Sequence, residues 1–68
     1  MSSQEHPPPS RSQIRRWRRY LAEERAEAKV YRAVAQRRSG EEAAILHALA
    51  DAERRHAAHW ESLLAEQP

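Results

Sequence analysis

The sequence predicts an all-α fold, an antiparallel two-helix hairpin that pairs with a second copy to complete a four-helix bundle. Three observations carry this expectation. Between Ser10 and Gly40 there is no proline or glycine, and alanine, arginine, glutamate and leucine dominate, all good helix formers. The single glycine, Gly40, follows basic residues and precedes acidic ones, as at the junction of two helices. Apolar residues recur at helical spacing along both segments, and each stripe is interrupted by polar residues at the same height.

Residues 1–9 contain three consecutive prolines and several small polar residues, too little apolar surface to offset the entropy of ordering, so a disordered tail is expected. Ser10 suits a helix N-cap, with Gln13 three residues on completing a capping box. The first helix is expected from about residue 11 to about residue 38. In Arg37-Arg38-Ser39-Gly40-Glu41-Glu42 the arginines suit a helix carboxyl end, glycine takes a left-handed turn, and the acids suit the next amino end. Ser39 and Glu42 repeat the capping-box spacing. The second helix is expected from about 41 to 66, giving a hairpin domain over 10–66. So short a connection makes the helices antiparallel.

Size limits what this hairpin can do alone. A chain of 68 residues lies below the roughly 70–80 at which one apolar core suffices, and such chains add disulfides, a metal or a partner. The absence of cysteine removes disulfides and thiolate metal sites. Oligomerisation and a metal held by carboxylate and imidazole remain. No apolar run approaches the roughly 20 residues of a membrane span, and the first residues lack the apolar stretch of a secretory signal, so a cytoplasmic protein is expected. The net charge of +2 is unevenly spread: Arg11, Arg15, Arg16, Arg18 and Arg19 lie together, whereas residues 39–68 hold six acids against two arginines. This reads first as a solvated face beside an acidic helix, and second as a phosphate or anionic-lipid contact.

The first stripe is Ile14, Trp17, Leu21, Glu24, Ala28, Tyr31 and Ala35, with one carboxylate inside it. The second is Leu46, Leu49, Glu53, His56, Trp60 and Leu63, with two polar residues inside it. In an antiparallel hairpin, residues equally far from the turn meet, and Glu24 and Glu53 each stand about 20 Å from it at about 1.5 Å per residue. An isolated carboxylate there costs several kcal/mol unless it is paired or bound to a cation. Two carboxylates and one imidazole suit iron or manganese, with zinc possible. Glu53 and His56 have the Glu-x-x-His spacing of di-iron four-helix bundles, whose full site also takes two further glutamates and a second histidine. One hairpin holds half of this, and two copies about a two-fold axis supply the whole.

The stretch Glu24-Arg-Ala-Glu-Ala-Lys-Val-Tyr31 resembles the first-helix pattern of rubrerythrin-type di-iron domains in the ferritin-like superfamily, a ligand glutamate followed seven residues later by tyrosine. Ala52-Glu53-Arg-Arg-His56-Ala57 resembles the second-helix pattern. The likeness covers residues 12–65 and implies a ferritin-like four-helix bundle made from a homodimer or higher oligomer. It also implies Glu24, Glu53 and His56 as metal ligands, two iron ions per dimer, and oxidation or handling of ferrous iron, with no catalytic side chain beyond the ligands. The family's second hairpin and its cysteine-rich redox module are missing here. The chain is similar in this respect to half-length ferritin-like proteins packaged in encapsulin shells, and to hairpins that precede the membrane region of vacuolar-iron-transporter-type proteins. A shell or a transporter domain is the partner each implies.

Other readings stand beside these. Glu24, Glu53 and His56 also fit a buried polar cluster that fixes helix register. Tyr31 reads as a core aromatic whose hydroxyl could reach a ligand carboxylate, Glu27 as a solvated acid near the site, and His59 as a rim residue able to swing toward the metal. His47 and His6 read as surface and tail residues, and Trp17 and Trp60 as closing the end of the core opposite the turn. The rival functions are a non-enzymatic dimerisation module binding nucleic acid or an anionic surface through Arg11–Arg19, and an iron-sensing segment of an iron transporter. Trp17 belongs to the seam, which weakens a base-stacking role and disfavours nucleic acid.

Overall fold

The computed structural model of the chain describes residues 7–67, and residues 1–6 of the expected tail, including His6, lie outside the described residues. Residues 7–10 have no regular secondary structure. Two helices follow, α1 over Arg11–Ala35 and α2 over Gly40–Ala65, packed as an antiparallel hairpin. No strand occurs among the described residues, and no described helix is long and apolar enough to cross a membrane.

Helix α1 begins where the capping box sits. The Gln13 amide donates to Ser10 Oγ at 3.1 Å, and the Ser10 amide donates to Gln13 Oε1 at 2.8 Å, so two otherwise orphaned donors are satisfied. The helix ends at Ala35, three residues before the expected boundary. There the backbone tightens into three-residue bonds, Arg37 N–H donating to the Val34 carbonyl at 2.9 Å and Arg38 N–H to the Ala35 carbonyl at 3.1 Å. The second capping box is not formed. Ser39 is the N-cap of α2 with extended backbone but no side-chain bond, so Glu41 and Glu42 favour this helix start through their charge on the helix dipole. Gly40 supplies the left-handed step, with φ +63°, as the first residue of α2.

The seam between the helices is lined with alanine. Ala28, Ala35, Ala50 and Ala57 are 1–6 % exposed and form the only fully buried apolar core among the described residues. The expected stripe on α1 is the observed one: its members are buried or half-buried throughout. On α2 the seam is rotated from expectation, running Ala43, Leu46, Ala50, Glu53, Ala57, Trp60 and Leu64. Leu49 and His56 therefore lie on its flank, exposed. The reason is steric, since small side chains let two helices approach closely and take the innermost line while larger residues are pushed to the edges. The resulting layer is only 14 Å thick, about one helix with its side chains.

At Gly40 a Cβ would meet nothing within 4 Å, so alanine there changes only the backbone energy of a left-handed residue. Gly40→Ala is expected to lower stability by about 1–2 kcal/mol in urea unfolding followed by helical circular dichroism, with Gly40→Asn costing less. Equal stability of wild type and Gly40→Ala would contradict this account of the turn.

Candidate metal centre

Glu24 stands eleven residues before the end of α1 and Glu53 thirteen after the start of α2, so both lie about 17–20 Å from the turn, at the expected common height. Both occupy the alanine-lined seam, where the close helix approach keeps their side chains only 21 % and 16 % exposed. His56, one turn beyond Glu53 on the flank of α2, folds its ring back over them. One ligand atom from each of Glu24, Glu53 and His56 can be chosen such that all three lie within 4.8 Å of one another. His56 Nδ1 is 3.0 Å from Glu53 Oε1, a hydrogen bond, and 3.8 Å from Glu24 Oε1.

The second oxygen of Glu24 decides how this cluster reads. Glu24 Oε2 is buried and has no hydrogen-bond partner. A buried acceptor left unmade costs about 1–3 kcal/mol, and more when charged. A register-fixing polar cluster satisfies its members; this one leaves a buried carboxylate oxygen without a partner. The donor set, two carboxylates and an imidazole with no thiolate, fits a ferrous, manganous or zinc ion.

Glu27 is closer to the centre than the sequence suggested. Its carboxyl lies against that of Glu53, and the hydrogen bond between them, followed by the Glu53 charge, burial and the charges of Glu24 and Glu23, raises the Glu27 pKa above the usual carboxylate range. The same bond lowers the pKa of Glu53, and His56 adds to the lowering while burial opposes it. The signal was present in the sequence, because Glu27 follows Glu24 by three residues and so shares its face.

The remaining expected residues surround this group. Tyr31 is half-buried and lines a hollow with Glu27 and Val30, but among the described residues no hydrogen bond joins its hydroxyl to Glu24, Glu53 or His56. His59 is not among the converging ligand atoms; it lines an open hollow of about 320 Å³ with Glu24, Arg55, His56 and Trp60. Its ring meets Trp60 edge-on at 5.0 Å, and Trp60 packs on Tyr20 at 5.1 Å. This aromatic pair bounds the cluster on the side away from the turn. Arg55, which sequence reasoning did not single out, adds a positive charge to the rim of the hollow. His47 is exposed, as expected.

The unpartnered oxygen has a measurable consequence. Glu24→Leu removes the unpartnered buried oxygen and is expected to stabilise the metal-free protein by about 1–3 kcal/mol in chemical denaturation. Destabilisation by that amount would mean that Glu24 is held by interactions within the chain.

No protein-family model, curated protein or solved structure matches the chain, so its function is argued from the geometry of Glu24, Glu53 and His56.

Proposed function

We propose that this chain is half of a di-iron carboxylate protein, in which two hairpins pair face to face and Glu24, Glu53 and His56 of each copy hold two iron ions between them. The observation that carries the reading is the convergence of these three side chains, one of which, Glu24, keeps a buried carboxylate oxygen with no partner. Ferrous iron is the preferred ion because an oxygen-rich set with one imidazole per ion and open positions suits it better than a closed structural zinc site. Four glutamates and two histidines in the dimer match the ligand count of such centres in four-helix bundles.

The distribution of apolar surface supports the pairing. Val30, Ile45 and Leu49 are 59 %, 54 % and 41 % exposed. Val30 follows Glu27 by three residues, and Leu49 precedes Glu53 by four and His56 by seven, so these side chains share the broad face on which the cluster opens. A second copy laid on that face covers them and supplies the missing half of the ligand set with one contact. An isologous dimer is also the commonest symmetry available to a small chain.

Within the dimer the residues have distinct tasks. Glu24 and Glu53 bring negative charge that offsets the ions, His56 presents Nδ1 as the nitrogen donor, and Glu27, against Glu53, holds that carboxylate in place. Trp60 and Tyr20 limit water on one side. Bound iron supplies one-electron exchange with dioxygen, which makes oxidation of ferrous iron the reaction class.

Anaerobic ferrous titration combined with native mass spectrometry tests this reading. The expected result is a dimer with about one iron per chain, abolished in Glu53→Ala, and weaker on acidification because protons compete for the carboxylates and the imidazole. A monomer that takes up no iron, or unchanged uptake in Glu53→Ala, overturns it.

A further inference from the structure

The arginines near the start of α1 do not form one patch. Arg19 lies within 3.9 Å of Glu23 and over the Tyr20 ring at 5.7 Å, and Arg16 shares its side of the helix. Arg11, Arg15 and Arg18 belong instead to a longer series that continues through Arg25, Lys29 and Arg32. The spacings are four, three, seven, four and three, with Ala22 at the skipped place, so the six cations form one straight row along α1. At about 1.5 Å per residue the row is about 32 Å long.

Its side of the molecule is fixed by a contact. Arg25 pairs with Glu61, on the flank of α2 turned away from Glu53 and His56, so the row occupies the broad face opposite the metal cluster. On α2 this face is nearly neutral, because Arg54 pairs with Asp51 at 3.6 Å. On α1 it is not. Arg11, Arg15, Arg18, Lys29 and Arg32 have no acidic partner among the described residues. Uncompensated cations in line repel one another and weaken the helix, so an anionic partner is what their arrangement suits.

We propose that this face docks on an anionic lipid bilayer, the guanidinium groups and Lys29 engaging headgroup phosphates. Arginine presents a planar fork that matches phosphate oxygens, and five of the six cations are arginine. The layer is thin, 14 Å deep, and a flat charged surface can meet every cation of a straight row at once. Ile14, half-buried, lines a hollow with Arg11, Arg15 and Arg18, an apolar contact that a lipid surface accommodates. A nucleic acid duplex fits less well, because its phosphates wind once in about 34 Å and a straight row meets them only at crossings. The face also offers no stacking platform, since Trp17 lies in the seam and Tyr20 packs on Trp60. The proposal does not depend on the metal reading, since the two faces are opposite and each can fail alone.

Co-sedimentation of the full chain with vesicles of phosphatidylcholine, alone or mixed with phosphatidylserine, tests it. Binding is expected only to the mixed vesicles and is expected to weaken as salt is raised. The triple variant Arg15→Gln, Arg18→Gln, Lys29→Gln is expected to bind about a hundredfold more weakly, each cation contributing roughly fivefold. A control of equal charge, Arg16→Gln, Arg19→Gln, Arg37→Gln, is expected to change binding by about threefold or less. If the first triple loses helicity, the single variants Arg15→Gln and Lys29→Gln, each about fivefold weaker, make the same comparison. Equal weakening by both triples, binding to phosphatidylcholine alone, or retention on duplex DNA at salt that releases the vesicles overturns the proposal.

Discussion

Two carboxylates sit in a helix seam whose fully buried residues are all alanine, and most of what this molecule can do follows from that placement. Alanine brings the helices close and leaves little room for water beside Glu24 and Glu53. Their charges must then be met from within a narrow space. His56 and Glu27 both lie against Glu53, while one oxygen of Glu24 is left without a partner. A hairpin stabilised for its own sake would place leucine at these positions, and the unpartnered oxygen is a cost that the proposed cation would offset.

The alanine seam has a second effect. Because the innermost line is taken by the smallest side chains, no large apolar residue among the described residues is fully buried, and Val30, Ile45 and Leu49 remain exposed. The hairpin is therefore one helix thick and has two broad faces with different chemistry. One carries the acidic and imidazole ligands together with the exposed apolar side chains. The other carries the uncompensated cations of α1. Separation of this kind arises because the flanks of a single helix differ: Glu23, Glu27 and Val30 turn one way from the seam, and Arg25, Lys29 and Arg32 the other.

The functional reading and the stability problem bear on each other through these faces. A chain this small buries little of its own apolar surface, and the face that would complete its core is also the face on which the ligand cluster opens. The proposed pairing of two copies there would answer both needs and would leave the basic face outward, so that the two proposals are compatible in one assembly.

The sequence by itself determined the two helices, the antiparallel turn, the left-handed step at Gly40 and the cap at Ser10, because each depends on neighbours within a few residues. It also determined that Glu24, Glu53 and His56 share a height, since helix rise and a short turn leave little freedom. It did not determine the rotation of α2. Alanine is too weakly apolar to mark a seam in a hydrophobic pattern, so the leucine stripe pointed to Leu49 and His56 as seam residues while Ala50 and Ala57 took that place. Which oxygen of Glu24 lacks a partner, that Glu27 leans on Glu53, and that the arginines divide between two flanks were decided only in the tertiary structure. Those facts depend on how closely and at what rotation one helix lies against the other, and close packing fixes that jointly for both.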